Sequence, residues 1–403
     1  MKDVGESVMK KNLAIVVRAL DHGGAERCAS NMSVDLSDKY NVHVIVFDGR
    51  DMVYPYGGEL HNLDLPPKDG LIGKMLNTRK RSRALKKIKA QYKIDCSISF
   101  LDGANLVNVL SKGKERTIVS IRNYVSASKP SRLGRMQLQY YCRRADQVVA
   151  LSKTVGLDLI DHFGVEEKKV TPIYNAVDAK RLLRLSQESQ VQPYSFPYIV
   201  TMGRLTRQKG HTYLIRAFSR VAAEHPDIRL VILGQGEDED SLKSLARRMG
   251  MENNVIFPGF IKNPHNIIAN GLFFVLPSLY EGLGNVILEA MACGKMVLST
   301  DCLAGPREIL APNSDLRKSY SGIKTTEYAE YGVLCPVFPN EAVDPAREDL
   351  SEEETVLGDT MNMLLDHPEI VERYERKSLE RVADFTSEKI TQEWARTIEG
   401  GQL

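Results

Sequence analysis

This sequence predicts an α/β protein of two domains, each a doubly wound parallel sheet. Three observations carry that expectation. Short apolar runs of strand length alternate with helical stretches, glycine-bearing loops fall where a run ends and a helix begins, and the alternation breaks once, at Arg184–Pro197, then restarts. A chain of 403 residues is long enough for two or three domains of about 150 residues, each burying its own core.

In the first half, Leu13–Val17 is a continuous apolar run and reads as a buried strand. The loop Asp21-His22-Gly23-Gly24 follows, then a helix from Ala25 to about Leu36. Val42–Phe47 is the next strand, followed by a long basic helix and strands at Cys96–Phe100 and Thr117–Ile121. A further strand, Gln147–Leu151, ends at Ser152, whose hydroxyl can cap a helix over Lys153–Asp161. Arg184–Pro197 is polar, carries Pro193 and Pro197, and reads as a linker.

The second half is more regular. Strand Tyr198–Met202 leads through a glycine loop to helix His211–Glu224, then strand Arg229–Leu233, Gly234-Gln235-Gly236, helix Ser241–Met249 and strand Val255–Phe257. Leu272–Leu276 is a strand stopped by Pro277. Gly282 and Gly284 permit a tight turn, Asn285 can cap a helix to about Met291, and Gly294 ends it before strand Met296–Ser299. A charged helical stretch, Ser351–Glu399, comes last. The expected domains are therefore 1–190 and 191–375, with a segment 376–403 returning to the first.

Composition excludes several classes. A hydrophobic fraction of 43% with mixed charges belongs to a globular chain. No apolar run approaches the ~20 residues of a membrane span, and the polar Met1–Lys11 stretch lacks the apolar core of a signal peptide. Cys28, Cys96, Cys142, Cys293, Cys302 and Cys335 form no C-x-x-C pair, which argues against a disulfide framework and a cysteine zinc site and for a reducing, cytoplasmic setting. Net charge is +2 overall, yet residues 1–190 carry 32 Lys+Arg against 21 Asp+Glu, a surplus of +11, and the rest carry −9. The first domain is thus expected to face something anionic.

Four loops and one helix can carry chemistry. Glu281 and Glu289 stand eight apart across a glycine turn and the start of an apolar helix. That helix presents its positive end to an anion, and the carboxylates can accept hydrogen bonds from hydroxyls. Phosphate beside hydroxyls is what a nucleotide sugar offers. In Gly203-Arg204-Leu205-Thr206-Arg207-Gln208-Lys209-Gly210, Arg204 and Lys209 can converge on one diphosphate, although such a loop can equally be solvated. Gly23-Gly24 is the corresponding loop of the first domain and is either a close ligand approach or an ordinary tight turn. Gly234-Gln235-Gly236 lacks the third glycine of a dinucleotide fingerprint, and no G-x-x-x-x-G-K-[ST] is present. Gly70–Ile94 holds nine Lys/Arg and no acid, with Arg81, Leu85, Ile88 and Tyr92 at helical spacing. This helix, with Arg79, Arg83 and Lys86 on its cationic face, is a candidate for an anionic membrane surface or a lipid diphosphate, or else a solvated outer helix. Nucleic acid is not expected, since no aromatic stacking platform surrounds it.

Taken in order, these loops resemble the retaining glycosyltransferases of family 4, enzymes of GT-B fold. The series runs through Gly23-Gly24-Ala25-Glu26, Ser120-Ile121-Arg122-Asn123, Ser152-Lys153, Asn175-Ala176-Val177-Asp178, Gly203-Arg204-Leu205 with Lys209, Gly234-Gln235-Gly236, Gly259-Phe260 with Asn263-Pro264, the Glu281/Glu289 pair and Gly305-Pro306-Arg307-Glu308. The resemblance implies two Rossmann-like domains facing across a cleft, an acceptor domain first and a donor domain second. It implies that Arg204 and Lys209 hold the donor diphosphate and stabilise the leaving nucleoside diphosphate. Glu289 would accept hydrogen bonds from the ribose, and Glu281 would contact the transferred sugar, with the backbone N–H groups of Gly282, Leu283, Gly284 and Asn285. Gly23, Gly24, Gly203, Gly234, Arg122 and Asn123 complete the implied donor contacts. Two departures stand out: many members place a His where this chain has Arg122-Asn123, and Lys295-Met296 stands where a proline is common.

The expected activity is transfer of a hexose or N-acetylhexosamine from a nucleotide sugar, UDP- in preference to GDP-linked, to a glycan or polyprenyl-diphosphate acceptor at the inner face of the cell membrane. No cofactor or metal is expected. The competing readings are a sugar-nucleotide epimerase or phosphorylase of the same fold, and a non-catalytic nucleotide-sugar binding protein.

Overall fold

Seven parallel strands make the sheet of the first unit: β1 (Asn12–Val17), β2 (Asn41–Val46), β3 (Glu59–Asn62), β4 (Cys96–Phe100), β5 (Arg116–Ile121), β6 (Gln147–Ala150) and β7 (Val170–Pro172). Their spatial order is β3-β2-β1-β4-β5-β6-β7. The crossovers are α1 (Gly24–Asp35), α2 (Leu71–Gln91), α3 (Asp102–Leu110), α4 (Arg132–Arg144) and α5 (Lys153–Phe163). Strand order reverses between β1 and β4, so that loops leaving those strands flank a topological switch point, where α/β sheets bind ligands. The structure is a computed structural model describing residues 10–21, 23–128, 130–188, 194–318, 322–339 and 349–401.

The second unit repeats the plan. Its strands are β8 (Tyr198–Met202), β9 (Arg229–Leu233), β10 (Val255–Gly259), β11 (Phe274–Leu276), β12 (Val297–Thr300), β13 (Glu327–Tyr328) and β14 (Val333–Cys335), in the order β10-β9-β8-β11-β12-β14-β13. All pairs are parallel except β13 with β14. The helices are α6 (Ala179–Gln187), α7 (His211–Glu224), α8 (Glu239–Arg248), α9 (His265–Asn270), α10 (Asn285–Ala292), α11 (Pro306–Leu310), α12 (Glu352–Asp366) and α13 (Pro368–Val382). Here the switch point lies between β8 and β11, which brings the Arg204–Lys209 loop and the Glu281 loop to the same place.

The division of the chain differs from the expected one. The first unit is 1–176 with 387–403, and the second is 177–386. The boundary precedes α6 because that helix is bound into the second unit: Asn263 Nδ2 donates to Leu185 O at 2.9 Å and Asn266 Nδ2 to Ser186 O at 3.1 Å. Of the expected linker, Arg184–Gln187 is helix, and residues 189–193 lie outside the described residues. Helix α13 also stays with the second unit, its Tyr374 buried in that core and Ser378 Oγ donating to Lys295 O at 2.9 Å. The chain returns later than expected, at α14 (Ser387–Glu399), which buries Ile390, Trp394 and Ile398 beneath the first sheet against Phe100.

Asn285 does not cap α10: Gly284 holds that position in the left-handed region, and Asn285 is the first helical residue. Ser152 does cap α5, its Oγ accepting from Val155 N at 3.2 Å.

Trp394 is the only tryptophan of the chain, so its fluorescence reports the first unit. Ile390→Ala is expected to destabilise that unit by about 2–4 kcal/mol through the lost burial and the cavity left behind. Guanidinium unfolding followed by Trp394 fluorescence measures this, and a change under ~1 kcal/mol would contradict the packing of α14.

Candidate active site

The loop after β8 turns through a short 3-10 helix, Arg207–Lys209, and ends at Gly210 in the left-handed region (φ 67°). A Cβ at Gly210 would fall inside the Pro277 carbonyl oxygen, so only glycine lets the two switch-point loops touch backbone to backbone. Gln208 fastens the contact: its carbonyl accepts from Leu279 N at 2.8 Å and its Nε2 donates to Tyr280 O at 2.9 Å. Gly234 and Gly236 serve the same packing from the β9 side, since a Cβ on either would strike the carbonyls of Gly203 and Leu205. The structure thus gives Gly234 a packing role that needs no ligand to explain it.

Glu281 sits at the centre. It is buried, its N–H donates to Leu303 O at 3.0 Å, and its Oε1 accepts from Ser278 Oγ at 2.7 Å. Lys209 Nζ lies 2.5 Å from the same oxygen. One carboxylate therefore holds the cation that the loop offers. Behind it, Thr300 Oγ1 donates to Ser278 O at 2.5 Å. Burial, and then the Glu281 charge, push the Cys302 thiol well above its ordinary range. Arg204 is exposed on the adjoining loop.

Across the turn, Gly305 (φ 102°) has no room for a Cβ against Leu283 O, and Ala304 is held at φ 64°, an unfavourable position for a residue with a side chain. These contacts fix the segment 282–284. Among the described residues, the N–H groups of Gly282, Leu283 and Gly284 donate to no acceptor, and Gly284 leads directly into α10. Unbonded N–H groups ahead of a helix start are the kind of donor that an anion can accept. Glu289 lies one turn further along α10, mostly shielded, with His265 Nε2 3.9 Å from its Oε2.

His265, Ser278 and His211 escaped the sequence reading. Ser278 stood three residues before Glu281, the spacing that brings its hydroxyl onto that carboxylate. His265 and His211 carry no sequence signal beyond adjacency to Asn263-Pro264 and to Gly210.

In the first unit, Gly23 is the N-cap of α1 with extended backbone, and the Glu26 carboxylate occupies the space its Cβ would take. Gly24, the first helical residue, has nothing within 4 Å of a built Cβ, so the fold does not require glycine there. Arg122 is buried, not presented: it donates to Asn175 Oδ1, to Ser120 Oγ at 3.3 Å and to Cys28 Sγ at 3.4 Å, and burial lowers its pKa. Of the pair, Asn123 is the exposed member. On α2, Arg79, Arg83 and Lys86 are exposed, but two of its cations turn inward. Arg81 donates to Leu65 O and stacks on Phe47, and Lys89 is buried against Glu115 at 2.7 Å.

A model described as glycosyl transferases group 1 matches residues 186–323, and one described as Glycosyltransferase Family 4 matches 22–181. A glycosyltransferase of Methanocaldococcus jannaschii, itself uncharacterized, is 34% identical over 342 residues, covering 80% of this chain and 83% of that protein. The chain belongs to the glycosyltransferases of family 4. A second relative, from Campylobacter jejuni, is the N-acetylgalactosamine-N,N'-diacetylbacillosaminyl-diphospho-undecaprenol 4-alpha-N-acetylgalactosaminyltransferase, 29% identical over 74% of this chain and 83% of its own. Among solved structures, Anabaena Alr3699/HepE in complex with UDP superposes with a TM-score of 0.73 at 20% identity, over 97% of this chain and 100% of that one. The glycosyltransferase has the GT-B fold.

Burial, and then the Lys209 charge, lower the pKa of His211 to about 3. The unfolded chain takes this proton near pH 6.5 and the folded chain only near 3. The stability that neutral His211 carries is therefore complete above pH 6.5 and is lost as pH falls below it, at about 1.4 kcal/mol per pH unit. Urea unfolding at pH 6 and pH 5 is expected to show the wild type losing roughly that much more than His211→Asn. Equal losses would contradict the buried, neutral imidazole.

Proposed function

We propose that this glycosyltransferase moves a hexose or N-acetylhexosamine from a nucleotide sugar, UDP- in preference to GDP-linked, to a glycan or polyprenyl-diphosphate-linked acceptor, with retention at the anomeric carbon. The observation that carries the reading is the cluster of Lys209, Glu281 and Ser278 beside the unpaired N–H groups of 282–284, at the switch point of the second sheet. Arg204 and Lys209 grip the diphosphate, Glu281 and the free N–H groups receive the sugar, and Glu289 accepts from the ribose hydroxyls. In the reaction the anomeric C–O bond breaks and its electron pair leaves on the diphosphate. The acceptor oxygen bonds to the same face of the sugar, and its proton passes to the departing phosphate oxygen. Fixed cations and a helix end, already oriented, stabilise the charge that develops on the leaving group.

Two comparisons support the choice of substrates. The Campylobacter relative is named for a transfer of N-acetylgalactosamine to a diphospho-undecaprenol-linked glycan, and the Anabaena structure is a complex with UDP. A peripheral membrane setting has its own support. No described helix is long and apolar enough to cross a membrane. Yet the first turns of α2 expose Leu71 (83%), Ile72 (73%), Met75 and Leu76, and the exposed cations Arg79, Arg83 and Lys86 follow. An apolar tip beside a basic face fits a bilayer carrying anionic headgroups.

Lys209→Ala and Glu281→Ala are each expected to lower turnover about 100- to 1,000-fold, the size of losing one preorganised group at a developing charge. Near-normal turnover in both would refute the site. Incubation with a panel of nucleotide sugars, with and without acceptor, tests the class: a transferase at most hydrolyses the donor slowly without acceptor. An epimerase changes the sugar, and a binding protein leaves it intact under both conditions. The donor itself is expected to raise the melting temperature, since a ligand at 100 times its dissociation constant adds about 2.7 kcal/mol.

Vesicles rich in phosphatidylglycerol are expected to sediment the protein, and neutral phosphatidylcholine vesicles are not. Charge reversal at Arg79, Arg83 and Lys86 should release it, each cation contributing about 1 kcal/mol near the surface. Retention of the triple variant on anionic vesicles would exclude this face as the contact.

A further inference from the structure

We propose that the first unit holds a divalent cation of the zinc class between His43, Glu59 and His61, a site separate from the second unit's loops. The parallel register of β2 with β3 sets His43 opposite Glu59 and Ile45 opposite His61. Glu59 and His61 are two apart on β3, hence on one face of the pleat, and His43 projects from the neighbouring strand toward them. The side chains converge. His43 Nδ1 is 3.1 Å from His61 Nε2, and the two Glu59 oxygens lie 3.7 Å from one ring nitrogen each.

A triangle of 3.1, 3.7 and 3.7 Å, with the carboxylate taken as one corner, has its centre about 2 Å from each corner, the length of a Zn–N or Zn–O bond. The carboxylate is too far from either ring to hydrogen-bond to it, yet it faces both. What it does bond is Tyr92, whose hydroxyl donates to Oε1 at 3.0 Å. Tyr92 ends α2, and its ring packs 4.7 Å from both imidazoles, fixing their planes. Among the described residues this is the group of three His, Cys, Asp or Glu side chains whose ligand atoms all lie within 4.8 Å of one another.

The donor set decides the metal. Two imidazoles and one carboxylate suit Zn²⁺, with Ni²⁺ and Cu²⁺ as rivals, and disfavour Mg²⁺ and Ca²⁺, which take oxygen ligands. A metal would take the unprotonated nitrogen of each imidazole together with the ionised carboxylate. His43, Glu59 and Tyr92 also line an open cavity of about 540 Å³, so the cluster lies beside solvent-accessible space. Bound there, the cation ties the edge strand β3 to β2 and to the end of α2. That is a structural or regulatory role, because none of the three side chains belongs to the Lys209–Glu281 cluster.

Chelator-treated full-length protein titrated with Co²⁺ tests the proposal through the visible absorption of a low-coordinate cobalt site, with Zn²⁺ added afterwards to displace it. One equivalent is expected to bind. His61→Gln and Glu59→Gln should each weaken binding by ~10-fold or more, and Tyr92→Phe by about 10-fold through the lost support of Glu59. Exposed Glu59 keeps the test valid even if a histidine variant fails to fold. Absence of a cobalt band at 100 µM metal, or a band that persists unchanged in Glu59→Gln and His43→Gln/His61→Gln, would overturn the proposal.

Discussion

The second unit's site depends on a single backbone approach, that of Gly210 to the carbonyl of Pro277. No side chain fits between the loops leaving β8 and β11, and therefore nothing separates what they carry. Gln208 seals the contact with two hydrogen bonds, and the next side chain, Lys209, is delivered onto Glu281. Gly234, Gly236 and Gly305 repeat the device from neighbouring loops, each standing where a Cβ would strike a carbonyl. Loops packed in this way behave as parts of the sheet. The left-handed Ala304 beside them is the kind of local strain that such over-determined surroundings can hold.

That rigidity has an electrostatic consequence. The Lys209 ammonium is held in place on a buried carboxylate, which is the preorganisation that the proposed donor site calls for. The buried His211 and Cys302 beside this pair add no charge to it. His211 stays neutral because it is buried beside Lys209, and Cys302 stays a thiol because it is buried beside Glu281. The N–H groups of 282–284, unbonded among the described residues, and the start of α10 stand beside these carboxylates, so donors and acceptors lie close together.

Much of this was legible in the chain. Strands of four or five buried apolar residues stood out because both faces of a parallel sheet are covered, and the glycine loops stood out because they interrupt those runs. Short edge elements did not: β3 reads Glu-Leu-His-Asn and β13 has two residues, neither long enough to show a period. The basic character of α2 was visible, but not that Arg81 and Lys89 turn inward, nor that the first turns expose Leu71 and Ile72. Arg122 looked like a presented cation and is a buried one, because Asn175, fifty-three residues on, accepts its hydrogen bond.

The sequence by itself determined the two α/β units, the strand ends at which their loops begin, and the residue types those loops offer. All of these follow from local pattern: apolar runs, glycine punctuation, and cations and carboxylates at short spacing. Tertiary structure decided which of those residues meet. Lys209 and Glu281 are 72 apart, His43 and His61 are 18 apart, and neither pair carries a periodic signal. Strand order places the first pair at one switch point, and the register of β2 with β3 places the second on one face of a pleat. Contact between distant residues is a property of sheet topology and register, which arise only when whole strands pair.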